Sequence, residues 1–436
     1  MRSPLSLLRK IGFHLRLLRD EPEQFGLNLL QFSHPERFLE RLLDVMTAAP
    51  LHAWIDPALR GAPAVNVLQP ILSPESMTGG PNTIVNLAFQ LARRGVRVRI
   101  VTTRPGAPEA WFWTHLASIT GDSTRPPSLS VDPAHDPAHP IAIGPRDMFL
   151  ATHWTTAQQA KAWLPRLEVR RMFYLIQDFE PGFYAWSSNH ALALETYGLD
   201  HIGIFNERLL HDHTIAQGAG RYADPAFAAQ ALTFEPALDR ALFHPPAAPR
   251  PSGRRRLLFY ARPTNPRNML GIGIAALRQA LADPAFQAET WEFLAIGSRG
   301  SLPPLDLGHG HTLRPVPWAD YPGYARQLRE ADVLLCPMLS PHTSYPVLEM
   351  AASGGIAVTN SFATKTADAL RALSANIVAT PATIEGFTEG LVTAAQRVRQ
   401  GVDIHAPLAL PSDWATALHD VADQMARRFE AITRSA

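Results

Sequence analysis

The sequence predicts an α/β chain of two doubly wound domains facing a central cleft, preceded by a helical extension. Three observations carry this expectation. Short apolar strands alternate with helical segments from Val65 onward, a Pro- and Ala-rich break (HPPAAPRPSG) occupies residues 244–253, and the same alternation restarts at Leu257. At 436 residues the chain exceeds the size at which one core keeps growing, so two domains plus terminal additions are expected.

The first fifty residues read as helices. Leu5, Leu8, Ile11, Leu15 and Leu18 recur at helical spacing, with Arg9, Lys10, Arg16 and Arg19 between them. Such a basic amphipathic opening packs on the body of the protein or touches an anionic membrane face. Pro22 is expected to end the first helix, and a second runs from about Pro35 to Met46. The first Rossmann-like domain, 51–243, contains strands at Val65–Leu68, Val96–Val101, Met148–Ala151, Met172–Ile176, His201–Phe205 and Ala229–Phe234. A helix from about Asn82 to Arg93 follows the first strand. After a linker at 244–256, the second domain, 257–410, has strands beginning at Leu257, Trp291, Thr312, Val333, Ile356 and Ile377. Helices are expected from Asn268, Tyr321 and Pro346, and a long one runs through Val398. A last helix, Trp414 to Phe429 within 411–436, has no strand after it.

Composition excludes several classes. The apolar fraction is 46% and the charged fraction 18%, which is ordinary for a globular chain. A formal charge of +1 argues against nucleic acid as a partner. Among 40 basic residues only Lys10, Lys161 and Lys365 are lysines, a bias that matches GC-rich coding. The lone Cys336 excludes an internal disulfide and a thiolate zinc cluster, and it fits a reducing, cytoplasmic compartment. No apolar run is long enough to span a bilayer, and no signal peptide opens the chain.

Four segments can carry chemistry. TGGPN, residues 78–82, sits between the first strand and first helix, where Gly79 and Gly80 let backbone N–H groups approach a ligand or simply shape a tight turn. Its spacing does not match the dinucleotide fingerprint, which disfavours a nicotinamide enzyme. In ARPTNPRN, Arg262 and Arg267 lie five positions apart on a loop that opens a helix, a natural clamp for pyrophosphate, although either could pair with a surface carboxylate. In LSPHTSYPVLEMAASGG, Glu349 sits one turn into a helix, where it can accept from a ribose hydroxyl, with Tyr345 nearby, or serve the helix end alone. In LIQDFEPGFYAWSS, Gln177, Asp178, Glu180, Tyr184 and Trp186 place aromatic faces beside carboxylates, as sugar-binding surfaces do. His153 ends another strand at the same edge, where a histidine serves structure or proton transfer. No zinc-like spacing, DxD pair, P-loop or nucleophile elbow is present, so no metal is expected.

MTGGPNT, YLIQDFEPGFY, FYARP with its following RN, and SPHTSYPVLEMAASGG resemble the retaining GT-B glycosyltransferases of family four, and more narrowly the WsaF-like bacterial rhamnosyltransferases. The similarity spans most of residues 65–380. It implies a metal-independent enzyme that moves a deoxyhexose, L-rhamnose from dTDP-β-L-rhamnose, with retention onto a polysaccharide or lipid-linked saccharide acceptor. By the resemblance, Arg262, Arg267 and Glu349 are catalytic. Gly79, Gly80, Gln177, Asn268, His342, Ser344 and Tyr345 line the donor, and Asp178, Glu180, Tyr184 and His153 the acceptor. A cytoplasmic enzyme is implied, with room for peripheral contact at the inner membrane face and for a homodimer. Two departures stand out: Pro341 occupies the position eight before Glu349 where the family has a second glutamate, and Arg267 stands where many relatives carry lysine. The rival readings are a GT-B transferase using a GDP- or UDP-sugar, and a non-catalytic nucleotide-sugar-binding subunit of a polysaccharide assembly complex.

Overall fold

The computed structural model describes residues 18–19, 21–43, 50–77, 79–247, 253–298 and 303–436. Leu5, Leu8, Ile11, Leu15, Met46, Thr78 and residues 248–252 of the expected linker lie outside this set. A separate helical unit contains helices Pro22–Ser33 and Pro35–Leu43. Residues 18–19 are helical and Glu21 is not, so one helix ends ahead of Pro22 and Pro22 begins the next, because its fixed φ and missing N–H suit a first turn.

Among the described residues, nine strands belong to the first half of the main unit: Ala53–Ile55 (β1), Val65–Leu68 (β2), Val98–Thr102 (β3), Leu129–Pro133 (β4), Ile141–Ile143 (β5), Met148–Ala151 (β6), Met172–Ile176 (β7), His201–Asn206 (β8) and Leu232–Phe234 (β9). Seven form one sheet in the order β4-β3-β2-β6-β7-β8-β9, with every neighbouring pair parallel. The central strands are buried along their whole length because helices cover both faces. Alternate residues divide between two cores. Val65, Val67, Ile100, Leu150, Phe173 and Leu175 face one; Leu68, Val101, Phe149, Ala151, Tyr174 and Ile176 face the other.

The second sheet uses Arg254–Tyr260 (β10), Thr290–Ile296 (β11), Leu305–Gly308 (β12), His311–Pro315 (β13), Val333–Leu335 (β14), Ile356–Asn360 (β15) and Ile377–Thr380 (β16). Its order is β12-β13-β11-β10-β14-β15-β16, parallel except for the edge pair β12-β13. The short β4 and β12, LSVDP and LDLG, escaped the sequence pattern because edge strands bury only part of their length.

Three boundaries differ from expectation. β10 starts at Arg254, inside the expected linker, because carboxylates neutralise its charged opening: Arg255 meets Glu289 at 3.0 Å and Asp332 at 3.4 Å. Leu238 and Phe243, expected in the first domain, pack into the second domain's core with Leu258 and Leu334. The last helix breaks into Trp414–Ala417 and His419–Ser435, and it returns to the first domain. There Leu418, Val421, Ala422, Met425 and Phe429, one face at helical spacing, join the core against Val85 and Phe89. The chain thus crosses between the two domains twice.

Candidate functional site

Loops following the carboxyl ends of both sheets meet in one polar knot, the place where open α/β sheets bind ligands. Asp178 follows β7 by two residues and is buried. Its Oδ1 accepts from Ser340 Oγ at 2.6 Å, while Oδ2 faces Arg267 and lies 3.2 Å from His342 Nε2. Burial pushes this carboxyl up, but His342 and Arg267 beside it win and hold it well below the usual carboxylate range. Glu207, directly after β8, accepts on Oε2 from both the backbone N–H and the hydroxyl of Thr343, each at 2.7 Å. His342 Nδ1 accepts the Ser344 N–H at 2.9 Å, which places the ring proton on Nε2, toward Asp178. Glu207 and Ser344 hold φ of 86° and 81°, so the strained backbone sits at the contact itself.

Tyr345 completes the crossing. Its hydroxyl meets Thr83 Oγ1 at 3.0 Å and accepts from Asn206 Nδ2 at 2.9 Å, both on the first domain. Gly79 makes room: a Cβ there would lie 3.1 Å from the Tyr345 ring. Gly79 and Gly80 are not an open loop, as expected, but the first turn of the Gly79–Arg93 helix; the helix starts early because Pro81 is tolerated there. Gln177 lies against Gly80.

Among the described residues, Arg262 and Arg267 have different neighbours. Arg267 lies 4.3 Å from the Phe183 ring centroid and pairs with Asp178, whereas Arg262 lies 5.9 Å from that of Tyr260. Nor does Glu349 stand open: Oε1 accepts from Tyr321 at 3.1 Å and Oε2 from Tyr324 at 2.8 Å. Burial pushes its carboxyl up to about 7, against those two donors. Asn268 Nδ2 donates to the Pro337 carbonyl at 3.0 Å and ties the arginine loop to the end of β14.

Beside Asp178, Glu180 Oε2 accepts from the Trp154 N–H at 2.6 Å and from Tyr174 at 3.1 Å. Burial raises Glu180 to about 8 and lowers His153 to about 4. His153 caps the Trp154–Trp163 helix, and its Nε2 lies 3.9 Å from Glu180. Tyr184 accepts from Trp154 Nε1 at 3.0 Å.

The sequence reading missed Thr83, Asn206, Glu207, Ser340, Thr343, Tyr321, Tyr324 and Lys365. Asn206 and Glu207 carried the same signal as Gln177 and Asp178, polar residues at the carboxyl end of an apolar parallel strand. Lys365 was marked by its rarity in an arginine-rich chain. It is fully buried, donates to the Met338 carbonyl at 2.8 Å, and is pushed down to about 8 by that burial, against the pull of Cys336, Glu207 and Asp178. Lysine suits such a place because its compact ammonium needs fewer partners than a guanidinium. Among the described residues, no group of three or more His, Cys, Asp or Glu is placed to hold a metal ion, and no helix is long and apolar enough to cross a membrane.

Residues 64–208 match the family model for the WsaF N-terminal domain, and residues 255–392 the one for the WsaF C-terminal domain. The chain is 36% identical over 296 residues to the O-antigen biosynthesis protein RfbC of Myxococcus xanthus. That match covers 64% of this chain but 20% of RfbC, so the chain spans about a fifth of that relative's length. In fold it is similar to sucrose-phosphate synthase of Thermosynechococcus elongatus, with a TM-score of 0.51 at 15% identity over 86% of this chain and 97% of the other. It is also similar to HepE of Anabaena, solved with UDP-glucose, with a TM-score of 0.51 at 12% identity over 86% and 100%. The fold is GT-B.

Proposed function

We propose that this chain, which belongs to the WsaF family, is a glycosyltransferase that moves a sugar from a nucleoside diphosphate onto a saccharide acceptor of a bacterial surface polysaccharide. The observation that carries this reading is the polar knot, where Arg267 and the 340–345 segment of one domain meet Asp178, Asn206 and Glu207 of the other. The carboxyl ends of open α/β sheets are where such folds bind their ligands. Buried polar atoms without partners among the described residues, Gln177 Oε1, Asn206 Oδ1 and Asn268 Oδ1, suit a polyhydroxylated ligand. The relationship to RfbC supports an O-antigen setting.

In finer detail the donor is dTDP-β-L-rhamnose and transfer proceeds with retention and without metal. Arg267 and Arg262 stabilise the departing diphosphate, a role suited to forked guanidinium donors. Binding exchanges one anion for another on Arg267, so Asp178 lets go and turns to the acceptor hydroxyl. Glu349, steadied by Tyr321 and Tyr324, takes a ribose hydroxyl. Proline at 341, in place of a second glutamate, leaves a less polar wall that favours a 6-deoxysugar. The enzyme works in the cytoplasm, where a lone reduced thiol is at home.

Calorimetric titration with dTDP, UDP and GDP, followed by turnover of dTDP-rhamnose and UDP-glucose, tests this directly. Arg267→Ala and Glu349→Ala are expected to lower turnover at least tenfold. Activity within twofold of the parent in both variants would remove these roles, and absence of any nucleotide binding would remove the transferase reading.

A further inference from the structure

Trp186 is 95% exposed, whereas no other large hydrophobic side chain among the described residues exceeds 56%. A single exposed indole is ordinary on a protein surface, so its place on the chain, not its exposure alone, argues for a role. Its position says what covers it. Trp186 lies just beyond the short helix Glu180–Phe183 and ahead of the Ser188–Thr196 helix, on the segment that carries Asp178 and Glu180 into the site. Rings on the same segment lead from the cleft toward it. Arg267 lies over Phe183, the Phe183 and Tyr184 centroids are 6.2 Å apart, and two residues further along the chain the Trp186 ring lies 6.5 Å from that of His190. Tyr184 is fixed by Trp154 at 3.0 Å, so this part of the ledge is rigid before any ligand arrives.

The charge around it selects among occupants. From 172 to 207 there is no Lys or Arg, while Asp178, Glu180, Glu195, Asp200 and Glu207 are acidic. The segment offers an anionic membrane face no basic side chain of its own, and attraction to such a face needs a basic surface. A neutral saccharide is not repelled, and its C–H faces stack on indole while its hydroxyls reach polar neighbours such as exposed Ser188.

We propose that residues Phe183–Trp186 form a second saccharide subsite, which holds the acceptor glycan beyond the sugar being extended, with Trp186 as its outer stacking platform. This rests on the transferase reading above and adds to it a preference for acceptors of several sugars. Because Trp186 touches little of the fold, Trp186→Ala leaves melting temperature and nucleotide binding unchanged.

The intact chain, Trp186→Ala and Trp186→Tyr are compared on a bacterial-glycan array and by titration with L-rhamnose and with α-linked rhamnose oligosaccharides of two to six units. Each is also mixed with phosphatidylglycerol vesicles, and dTDP and UDP titrations run alongside. The expected result is binding that strengthens with oligosaccharide length in the parent. Trp186→Ala weakens binding of the longest glycans at least fivefold with no change for the monosaccharide, and Trp186→Tyr restores most of it. Glycan binding equal in parent and Trp186→Ala, no glycan bound by the parent, or loss confined to vesicle binding would each overturn the subsite. Failure of the parent to bind nucleotide diphosphate speaks instead against the transferase reading, so the two failures are distinguishable.

Discussion

Asp178 connects the three functional groups of the site, since the same carboxylate meets Arg267, His342 and Ser340. If it competes with diphosphate for Arg267, weakening it frees a binding-competent arginine and raises apparent nucleotide affinity. Asp178→Asn is therefore expected to bind dTDP about threefold to tenfold more tightly by calorimetry while losing most turnover; weaker binding would show that Asp178 orders the arginine rather than competing for it. The two raised carboxyls make a separate prediction. Glu180 and Glu349 bind protons more tightly folded than unfolded, so each stabilises the fold below pH 4.5 and loses that contribution as pH rises through about 8 and about 7 respectively. His153 and His201, lowered from 6.5 to about 4, act in the opposite direction only below pH 6.5. From pH 6.5 to about 7 both carboxyls lower stability as pH rises, and from about 7 to 8 Glu180 carries the fall, on the order of 1 kcal/mol per pH unit at most. Urea unfolding across this window should show a shallower slope in Glu180→Gln, and an unchanged slope would mean that Glu180 is not protonated there.

At the scale of elements, strands β2, β3 and β6 are fastened at the end away from the site by Asp147. It accepts from the Ala64 and Gly144 N–H groups, from Asn66 Nδ2 at 3.0 Å and from Arg99 Nη2 at 2.8 Å. Both charges are buried, at 2% and 7% side-chain exposure, and removing Asp147 leaves Arg99 with Asp132, at 3.9 Å, as its remaining carboxylate. Asp147→Ala is expected to cost about 3–5 kcal/mol in chemical denaturation. A loss under about 1 kcal/mol would mean that water reaches Arg99. The helix His419–Ser435 works differently, through apolar burial against the Gly79–Arg93 helix and the pairing of Arg94 with Asp423. It therefore clasps the domain that the chain left at Phe234.

Across the whole molecule, a ligand that engages both domains stabilises the unit by mass action. At 100 times its dissociation constant, a nucleoside diphosphate should add about 2.7 kcal/mol to unfolding free energy. Arg267→Ala should erase most of that increment at the same nucleotide concentration, whereas a gain equal to the parent's would place the diphosphate elsewhere. The sequence by itself determined the two sheets, most of their strands and the polar segments at their ends, because β periodicity, turn chemistry and apolar runs are local properties of the chain. It could not show which polar groups meet. Asp178 and Arg267 are 89 residues apart, Glu207 and Thr343 136, Thr83 and Tyr345 262. Only the packing of one sheet end against the other decided that Arg262 and Arg267 face different partners, that Glu349 is held by two phenols, and that Lys365 is buried. The physical reason is that no local pattern encodes the partner of a charged group: burial removes water as the alternative, and the partner is whatever the fold brings within hydrogen-bonding reach.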